Sequence, residues 1–490
     1  MKVARKIKLI TGLLAVIIFF ALQGSAQSNL VFYHNHEQFN SSDFNPAFLT
    51  SQQNYTLGIF PISGMSVGYN NQAIIKDMVF RFLAGNQTQQ DFTDVFNSLL
   101  NRELFFQRWE MPLLYFACKT NLGSFDFRIK EIEEIASDFK GDFSSFLNTP
   151  EFQTYMLGQK QLFPSKAFYY REYSLGFGKE IIKNKLNIGI RAKLYFGKSN
   201  MISEVEAGIE KNNGQVFLKT YGQARLTMPL NLYQKDSLLS SSTISKDFTI
   251  ANYLLNSKNP GAGIDLGISY QVNPQLEFSA SIVDLGKINW NHDVNTMVFM
   301  GSHKFPEGYI QDLGNDYVTK TPHFVRDNEN MNDLFKIALD QSSYSTSLPT
   351  TFYAGLKYQL NPKFMIGLVD RFISSKKLNQ NSFSLTASYN LNNKLTINSG
   401  YSVIGDSYSN MSVALLYTRN SSQSFIGTDN LISFLTPASD VSGITFGTCF
   451  YLFRHSSKYK PQLDYLPYFK EKKPKPKSSK GLIYNNYRHD

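Results

Sequence analysis

Segments in which apolar and polar residues alternate run along most of the chain. In one of them every second residue is apolar: Leu186, Ile188, Ile190, Ala192 and Leu194. This alternation is typical of β-strands with one apolar face. Because such segments follow one another at close spacing, the pattern predicts an all-β barrel or sandwich.

The connections between the predicted strands favour the barrel. Tight polar pairs or triplets end several strands: Asn184-Lys185, Asn212-Asn213-Gly214, Asn273-Pro274, Asn361-Pro362 and Asn392-Asn393. If the first strand begins at Tyr55, these turns all fall at one end of the strands and the long insertions at the other. Outer-membrane barrels have this asymmetry, with short periplasmic turns and longer extracellular loops. We therefore predict a transmembrane antiparallel β-barrel over residues 54–454.

The pattern predicts about 14 strands, and up to 16 because the segments 201–210 and 425–434 are ambiguous. The longest predicted insertion spans residues 291–348. Two other outer loops, within 73–104 and 139–157, carry apolar residues at helical spacing. Apolar residues three and four positions apart indicate helices, so we expect helical insertions in these loops.

The composition agrees with a barrel, although the mean hydropathy of −0.26 is that of a soluble protein. Only alternate residues of a barrel strand face lipid, so the mean hydropathy hides the membrane surface. Aromatic residues make up 14% of the chain, which favours β-structure with aromatic girdles at the membrane interfaces.

The first 26 residues have the three parts of a secretory signal peptide. A cationic start precedes an apolar stretch from Leu9 to Leu22 and the small-residue cleavage site Gly24-Ser25-Ala26. The apolar stretch is short for a bilayer-spanning helix, which needs ~20 residues. We therefore predict export, cleavage after residue 26 and a location in the outer membrane of a Gram-negative envelope.

The net charge of +10 is concentrated at the two ends of the chain. The signal peptide carries +4 and residues 455–490 carry +6, so the body between them is close to neutral. A neutral body argues against a basic groove that binds nucleic acid.

Residues 455–490 form a separate basic tail, which prolines keep extended. The cations that we expect to bind a partner are Lys470, Lys472, Lys473, Lys475, Lys477 and Lys480. With an even number of strands both termini lie in the periplasm. Through these lysines the tail then meets anionic glycan of the cell wall, acidic lipid or an acidic periplasmic partner, or it stays a solvated charged segment.

Two cysteines, Cys118 and Cys449, are predicted on the second and the last strand. An exported protein meets an oxidising compartment, so a disulfide has to be considered. With the first strand between them the two residues lie ~9–10 Å apart, beyond the usual disulfide separation. We expect two free thiols.

Local motifs resemble one group of outer-membrane barrels. Asn45-Pro46-Ala47 precedes the first strand, as the Asn-Pro-Ala motif does in FadL-type barrels and in the related PorV-like and PorP-like barrels of Bacteroidota. The segments GAGIDLG (261–267) and SIVDLG (281–286) resemble an uncharacterised family within that group.

The last predicted strand carries a further similarity, to the terminal signal that the barrel-assembly machinery reads. Its residues are Thr445, Gly447, Phe450 and Leu452. The resemblance implies a barrel of about 14 strands, with outer-membrane lipid and the assembly machinery as partners. It also implies that the segment 27–53 folds into the lumen as a hatch.

The resemblance leaves two functions open. In FadL-type barrels the hatch gates hydrophobic substrates, whereas PorV-like relatives are binding subunits of secretion machinery. Because transport does not explain the basic tail, we expect a non-enzymatic binding or scaffold subunit of an envelope assembly. The alternative is a FadL-like channel for hydrophobic small molecules, which would have a contiguous apolar pocket in the lumen.

The sequence contains no recognisable catalytic or cofactor motif. A P-loop, a Gly-x-Ser-x-Gly elbow and a His-Glu-x-x-His helix are all missing. His34 and His36 fit one side of a metal site, or a polar surface of the hatch. The oxygen-rich loop 312–333 fits calcium, or a solvated acidic loop. We expect no cofactor and no enzymatic activity.

Overall fold

The structure is a computed structural model. It describes residues 30–52, 55–70, 104–138, 160–212, 215–246, 248–304, 336–375, 379–392, 394–405, 407–432 and 441–452. The predicted signal peptide, the predicted loop helices, the acidic loop and the basic tail lie outside these residues. Of the segment 73–104, in which a helix was predicted, only Leu104 is described, and it begins a strand.

Within the described residues the chain is almost entirely β-structure. The strands are β1 (Tyr55–Ile59), β2 (Met65–Asn70), β3 (Leu104–Lys119), β4 (Ser124–Asp138), β5 (Lys160–Ile182), β6 (Leu186–Asn212), β7 (Gln215–Thr227), β8 (Leu230–Lys235), β9 (Leu238–Ile244), β10 (Asn259–Gln271), β11 (Leu276–Trp290), β12 (Val294–Lys304), β13 (Ile337–Asp340), β14 (Tyr344–Ser347), β15 (Thr350–Asn361), β16 (Phe364–Ser374), β17 (Gln380–Asn390), β18 (Leu395–Ile404), β19 (Ser407–Thr418), β20 (Ser422–Thr428) and β21 (Val441–Tyr451). The described helices are the α-helix α1 (Ile250–Leu254) and three 3-10 helices, Leu30–Phe32, Ser41–Asp43 and Pro46–Ser51. No helix of these residues has the length and apolar character that a membrane crossing requires.

The predicted β-barrel is confirmed. Fourteen antiparallel strands close it. β1 and β2 together form its first strand, because both pair with β3 on one side and with β21 on the other. The circuit continues through β3, β4, β5, β6, β10, β11 and β15 to β21. The ambiguous segment 201–210 continues β6, and β20 begins the other ambiguous segment.

The two ends of the barrel differ in their connections, although less than predicted. Four of the five predicted turns lie at the end that holds Tyr55 and Tyr451, which we call the turn end. The prediction for Asn212-Asn213-Gly214 is wrong. β6 runs on past the barrel rim, so the connection from Asn212 to Gln215 lies at the opposite end, the loop end. A second short connection there joins Ile404 to Ser407.

A sheet rises from the rim at the loop end. The outer half of β6 pairs with β7, β7 with β12, and β12 with β13. The predicted insertion 291–348 is therefore not a plain loop, since β12, β13 and β14 lie within it. β12 pairs with β7 and β13 above the rim, whereas the short β14 pairs with the barrel strand β11. Because β13 and β14 have only four residues each, their alternation was difficult to recognise.

The outer wall of the barrel is apolar, as the alternation requires. Exposed apolar side chains on it include Leu194, Leu266, Leu356, Leu368, Leu385, Leu415 and Phe446. The same alternation is seen on β18, where Ile397 and Tyr401 are exposed and Asn398 between them is buried.

Residues Leu30–Gln52 lie in the barrel lumen, and we call this segment the plug. Its first 3-10 helix contacts β17, β18 and β19, whereas its third contacts β5, β6 and β10. These strands lie on opposite sides of the barrel, so the plug crosses the lumen between them. Leu30, Phe32, Phe48 and other plug residues form one apolar cluster with inward-facing barrel residues such as Tyr115.

Both cysteines are free, as predicted. Cys118 lies beside Tyr55 of β1, and Cys449 lies on β21, the strand on the other side of β1. The first strand therefore separates the two thiols.

Candidate functional site

Asn45 ties the plug to the barrel wall. Its side chain accepts a hydrogen bond from the Ala47 backbone (2.9 Å), which caps the helix that Pro46 begins. Its amide also donates to the carbonyl oxygens of Ile268 (3.0 Å) and Ala280 (3.1 Å), on β10 and β11. The Asn-Pro-Ala residues therefore combine a helix start with an anchor.

Glycines on the inner wall make room for this helix. A Cβ atom on Gly267 would lie 2.0 Å from Asn45 Oδ1, and one on Gly189 would lie 2.2 Å from the Pro46 carbonyl carbon. Any larger residue at either position would push the plug away from the wall. The glycines inside these strands are thus explained by close approach of a second chain segment.

The two plug histidines are buried in the lumen near the turn end. His36 Nδ1 lies 3.3 Å from Lys357 Nζ and 3.3 Å from Glu277 Oε1, and its ring stacks on Phe48 at 3.7 Å between centroids. Lys357 Nζ in turn lies 2.5 Å from Glu277 Oε2. His34 Nε2 lies 3.1 Å from the Leu368 carbonyl oxygen. Among the described residues no group of three potential ligands surrounds a metal position. These histidines are anchors rather than a polar surface.

A network of ion pairs begins on the side of the plug that faces the loop end. Asp43 accepts from Arg128, lies 2.7 Å from Lys130 Nζ and lies 3.6 Å from Arg191. Arg191 also pairs with Asp126 at 2.7 Å. Burial alone would raise the pKa of Asp43, but these cations outweigh it and hold the pKa well below its ordinary value.

The network continues through the two segments that carry the family resemblance. Lys193 Nζ lies 3.0 Å from Asp265 of GAGIDLG and 2.5 Å from Asp284 of SIVDLG. Arg108 lies 3.4 Å from Asp284 and 2.9 Å from Glu134. The motif aspartates therefore neutralise cations in the lumen.

The two motifs alone do not indicate a role for these aspartates. The available signal was charge at alternate positions of otherwise apolar strands, as in Asp126, Arg128 and Lys130, or Arg191 and Lys193. With period-two alternation such residues share the inward face, where a lumen can hold them.

A cavity of about 90 Å³ lies between the plug and this network. Its apolar lining includes Phe39, Phe44, Met65, Pro112, Ile132, Val283, Tyr353, Ile373 and Phe425. Its charged lining is Asp43, Arg108, Glu110, Lys130, Glu172, Lys193, Asp284 and Arg371, and the charges of these two signs balance. The cavity therefore offers both apolar and charged surface to anything that enters it.

A second apolar cluster lies in the lumen towards the loop end. It contains Trp290, Tyr170, Tyr195 and Ile288, all fully or almost fully buried. The Trp290 indole nitrogen donates to Thr346 Oγ1 at 2.8 Å. The charged network thus lies between two apolar clusters along the barrel axis.

The break between β1 and β2 borders the cavity. Ser63 and Met65 line the cavity, and Ser63 Oγ donates to the Pro112 carbonyl oxygen at 2.6 Å. On the outer side Ile59 and Ile62 are about half exposed. The first barrel strand is therefore interrupted beside the cavity.

The other predicted site residues lie apart from this cavity, except Thr445. On β21, Thr445 and Gly447 face inward and Phe450 faces outward, and Leu452 follows the strand. Their role as an assembly signal stays a prediction. The tail lysines lie outside the described residues.

The profile of a family of unknown function, DUF5723, matches residues 46–429. The chain belongs to this family. The match covers the plug from Pro46 onward and the barrel as far as the end of β20. No protein with a curated description matches the sequence of this DUF5723 member.

Solved structures with similar folds are outer-membrane barrels of the FadL type. The toluene transporter TodX of Pseudomonas putida has 11% identity and a TM-score of 0.37, with 87% of this chain and 95% of that chain covered. The toluene transporter TbuX of Ralstonia pickettii has 10% identity and a TM-score of 0.36, with 84% and 96% covered. A FadL homologue of Pseudomonas aeruginosa has 9% identity and a TM-score of 0.35, with 84% and 92% covered. The predicted Bacteroidota and PorV-like assignments find no support in these comparisons.

Proposed function

We propose that this DUF5723 protein is a non-enzymatic outer-membrane channel for small hydrophobic molecules that carry a polar group. The observation that carries the proposal is the lining of the cavity above the plug. Aromatic side chains such as Phe39 and Phe44 line it, together with ion-paired residues such as Lys193 and Asp284. Ligand sites combine apolar surface with a few placed polar groups, and this cavity offers both.

The plug closes the direct path from the cavity to the turn end. Besides Asn45 and Asp43, Gln423 of β20 holds it, by accepting from the Phe39 backbone (3.0 Å) and donating to the Glu37 carbonyl oxygen (3.2 Å). The plug is therefore held from several sides of the barrel. Straight passage would require these bonds to break together.

A sideways exit needs less rearrangement. The break at 60–64 lies beside the cavity, and apolar side chains lie outside it in the lipid-facing wall. A hydrophobic cargo that leaves there enters the membrane without crossing water. In the closed state the hydrogen bond from Ser63 to the Pro112 carbonyl group holds the break against β3.

The scaffold function depends on the basic tail, which lies outside the described residues. Nothing in the described part of the chain supports that function, whereas the lined cavity supports a channel. The channel is therefore the function that we propose.

Binding of a fluorescent amphipath tests the proposal. We expect the purified protein in detergent to bind dansylaminoundecanoate saturably. Val283 is buried in the cavity wall, so Val283→Trp fills the cavity, and we expect at least about tenfold weaker binding from the lost contact volume. Val298→Trp is the matched control, because Val298 lies on β12, more than a third exposed and away from the cavity.

The folding of both variants is verified by heat-modifiable migration on gels. Equal affinities of the two folded variants, or no saturable binding by the unmodified protein, would contradict the channel.

A further inference from the structure

Charged residues lie on the outer wall of the barrel, where lipid would be expected. On β4 and β5, Glu131 pairs in register with Arg171. Alternation without a register shift places both on the same face as the pair Phe127 and Leu175. Leu175 is 60% exposed, so this face is the outer wall.

These charges are nevertheless buried. Arg171 pairs with Glu131, and Lys198 Nζ lies 2.6 Å from both carboxylate oxygens of Glu131. Lys198 is the extra residue of a bulge in β6, and alternation places it on the same outward face as Leu194, which is 58% exposed. Glu131 and Lys198 are each only 2% exposed. Protein must therefore cover the outer wall at this point.

The cover includes the segment 248–255, which we call the strap. It contains helix α1, whose first turn is capped by a hydrogen bond from the Asn252 backbone to Thr249 Oγ1 (3.1 Å). The Tyr253 ring lies 6.0 Å from the Tyr169 ring, and Lys198 Nζ lies 4.8 Å from the Tyr169 centroid. The strap thus packs beside the ion pairs through Tyr253.

The remaining large apolar residues of the strap are partly or largely exposed. The exposed fractions are 38% for Phe248, 52% for Ile250, 38% for Leu254 and 71% for Leu255. In water this surface would be unfavourable by the hydrophobic effect. The position of the strap on the barrel therefore indicates whether this apolar surface meets water or lipid.

The strap lies at the edge of the lipid-facing belt. On β4 the outward residues change from Phe127 and Ile129 to Glu131 and Glu133, which marks the end of the belt on this wall. The strap lies beside that change, so its apolar surface continues the belt at the membrane–water interface.

We propose that the strap inserts Phe248, Ile250, Leu254 and Leu255 into the acyl-chain boundary of the lipid leaflet at the loop end. Amphipathic segments that lie in the interface bind membranes through such a buried apolar face. The strap then anchors this side of the rim in lipid. It also keeps lipid away from Glu131, Arg171 and Lys198, because a charge exposed to acyl chains is costly.

Spin-label accessibility tests this proposal in vesicles that contain the full chain. A nitroxide is attached to Leu255→Cys in a chain that also carries Cys118→Ala and Cys449→Ala. Leu239→Cys is the matched control, because Leu239 is 50% exposed but lies on the hairpin of β8 and β9 that reaches β13, above the rim. We expect the ratio of collisions with oxygen to collisions with a water-soluble nickel chelate to be at least about threefold higher at 255 than at 239, as an acyl-chain boundary requires.

Equal ratios at the two positions would place the strap in water and overturn the proposal. An immobilised label at 255 that neither reagent reaches would mean a protein partner or a second copy, and would also overturn it. If the cysteine-free chain does not fold, Leu255→Trp and Leu239→Trp in the native chain give the same decision. Brominated lipid should quench the added tryptophan emission at 255 and leave that at 239 unchanged.

Discussion

Asn45 of the plug and Gly267 of β10 fit together without room for one more carbon atom. A Cβ atom on Gly267 would lie 2.0 Å from Asn45 Oδ1, while the Asn45 amide donates to the carbonyl group of Ile268. The two residues belong to two separate sequence motifs, Asn-Pro-Ala and GAGIDLG. Their contact shows that both motifs serve to fix the plug in the lumen.

Gly267→Ala should therefore loosen the plug. We expect a loss of ~1–3 kcal/mol in unfolding free energy, the usual cost of overpacking a tight contact. Urea unfolding in lipid vesicles measures the loss, and proteolysis within 30–52 locates it. Gly400→Ala on β18 is the control, because its nearest neighbour is the Ser412 hydroxyl oxygen, which can rotate away. A plug as resistant to proteolysis as in the unmodified protein would contradict the role of this contact.

The outer wall should respond to charge according to depth. Leu385 lies in the middle of β17 and is 50% exposed, whereas Ile397 is the third residue of β18 from the turn end. Leu385→Arg should cost ~2–4 kcal/mol, and Ile397→Arg only ~0–1 kcal/mol, because arginine near the interface reaches water. Urea unfolding in vesicles measures both losses of unfolding free energy. Equal losses for the two variants would mean that Leu385 does not lie deeper in the membrane than Ile397.

Lys193 should be essential to the ion-pair network. Lys193→Met leaves Asp265 and Asp284 in the lumen without their shared cation, so we expect a loss of ~3–5 kcal/mol. Adding Asp284→Asn removes one of the two carboxylates that have lost the Lys193 cation, and should recover part of this loss. Urea unfolding of the single and double variants measures both effects. A double variant less stable than Lys193→Met would show that the pair is not coupled in this way.

The buried plug histidines should make the protein less stable in mild acid. Burial, reinforced by Lys357, lowers the pKa of His34 to about 4. Burial also lowers the pKa of His36 to about 3. The nearby Glu277 carboxylate acts in the opposite direction but does not outweigh the burial. Below pH 6.5 the unfolded chain takes up protons that the folded chain refuses, so stability falls as the pH falls from 6.5 towards these values.

Each histidine should cost ~1.4 kcal/mol between pH 7.5 and pH 5.5. Urea unfolding at the two pH values measures the cost, and the double variant His34→Gln with His36→Gln is the comparison. It should lose less stability on acidification than the unmodified chain. An unchanged pH dependence would mean that the histidines are already charged in the fold.

Much of the barrel could be predicted from the sequence, because alternation is a local property. Leu186 to Leu194 and Ile397 to Tyr401 show their exposed face in the pattern itself. The turn at Asn212 could not be placed, because nothing local shows that β6 continues past the rim. Only the pairing of β6 first with β10 and then with β7 shows it.

The candidate site was harder to predict, because strands far apart in sequence build it. Arg108, Asp284 and Lys193 meet only when the barrel closes, and their separations along the chain give no sign of it. The position of Asn45 before the first strand was informative because its motif is local. The outward ion pairs of Glu131 could not be foreseen either, since they depend on the strap that covers them.

Photolabelling with a cargo analogue tests the channel most directly. A diazirine-bearing undecanoate is irradiated with the protein in lipid vesicles, and the adducts are located by mass spectrometry. The channel predicts adducts in the plug peptide with Phe39 and Phe44 and at the break around Ser63, both removed by Val283→Trp and retained in Val298→Trp. Adducts confined to lipid-facing residues such as Leu385 and Leu415, unchanged by Val283→Trp, would contradict a cargo route through the lumen.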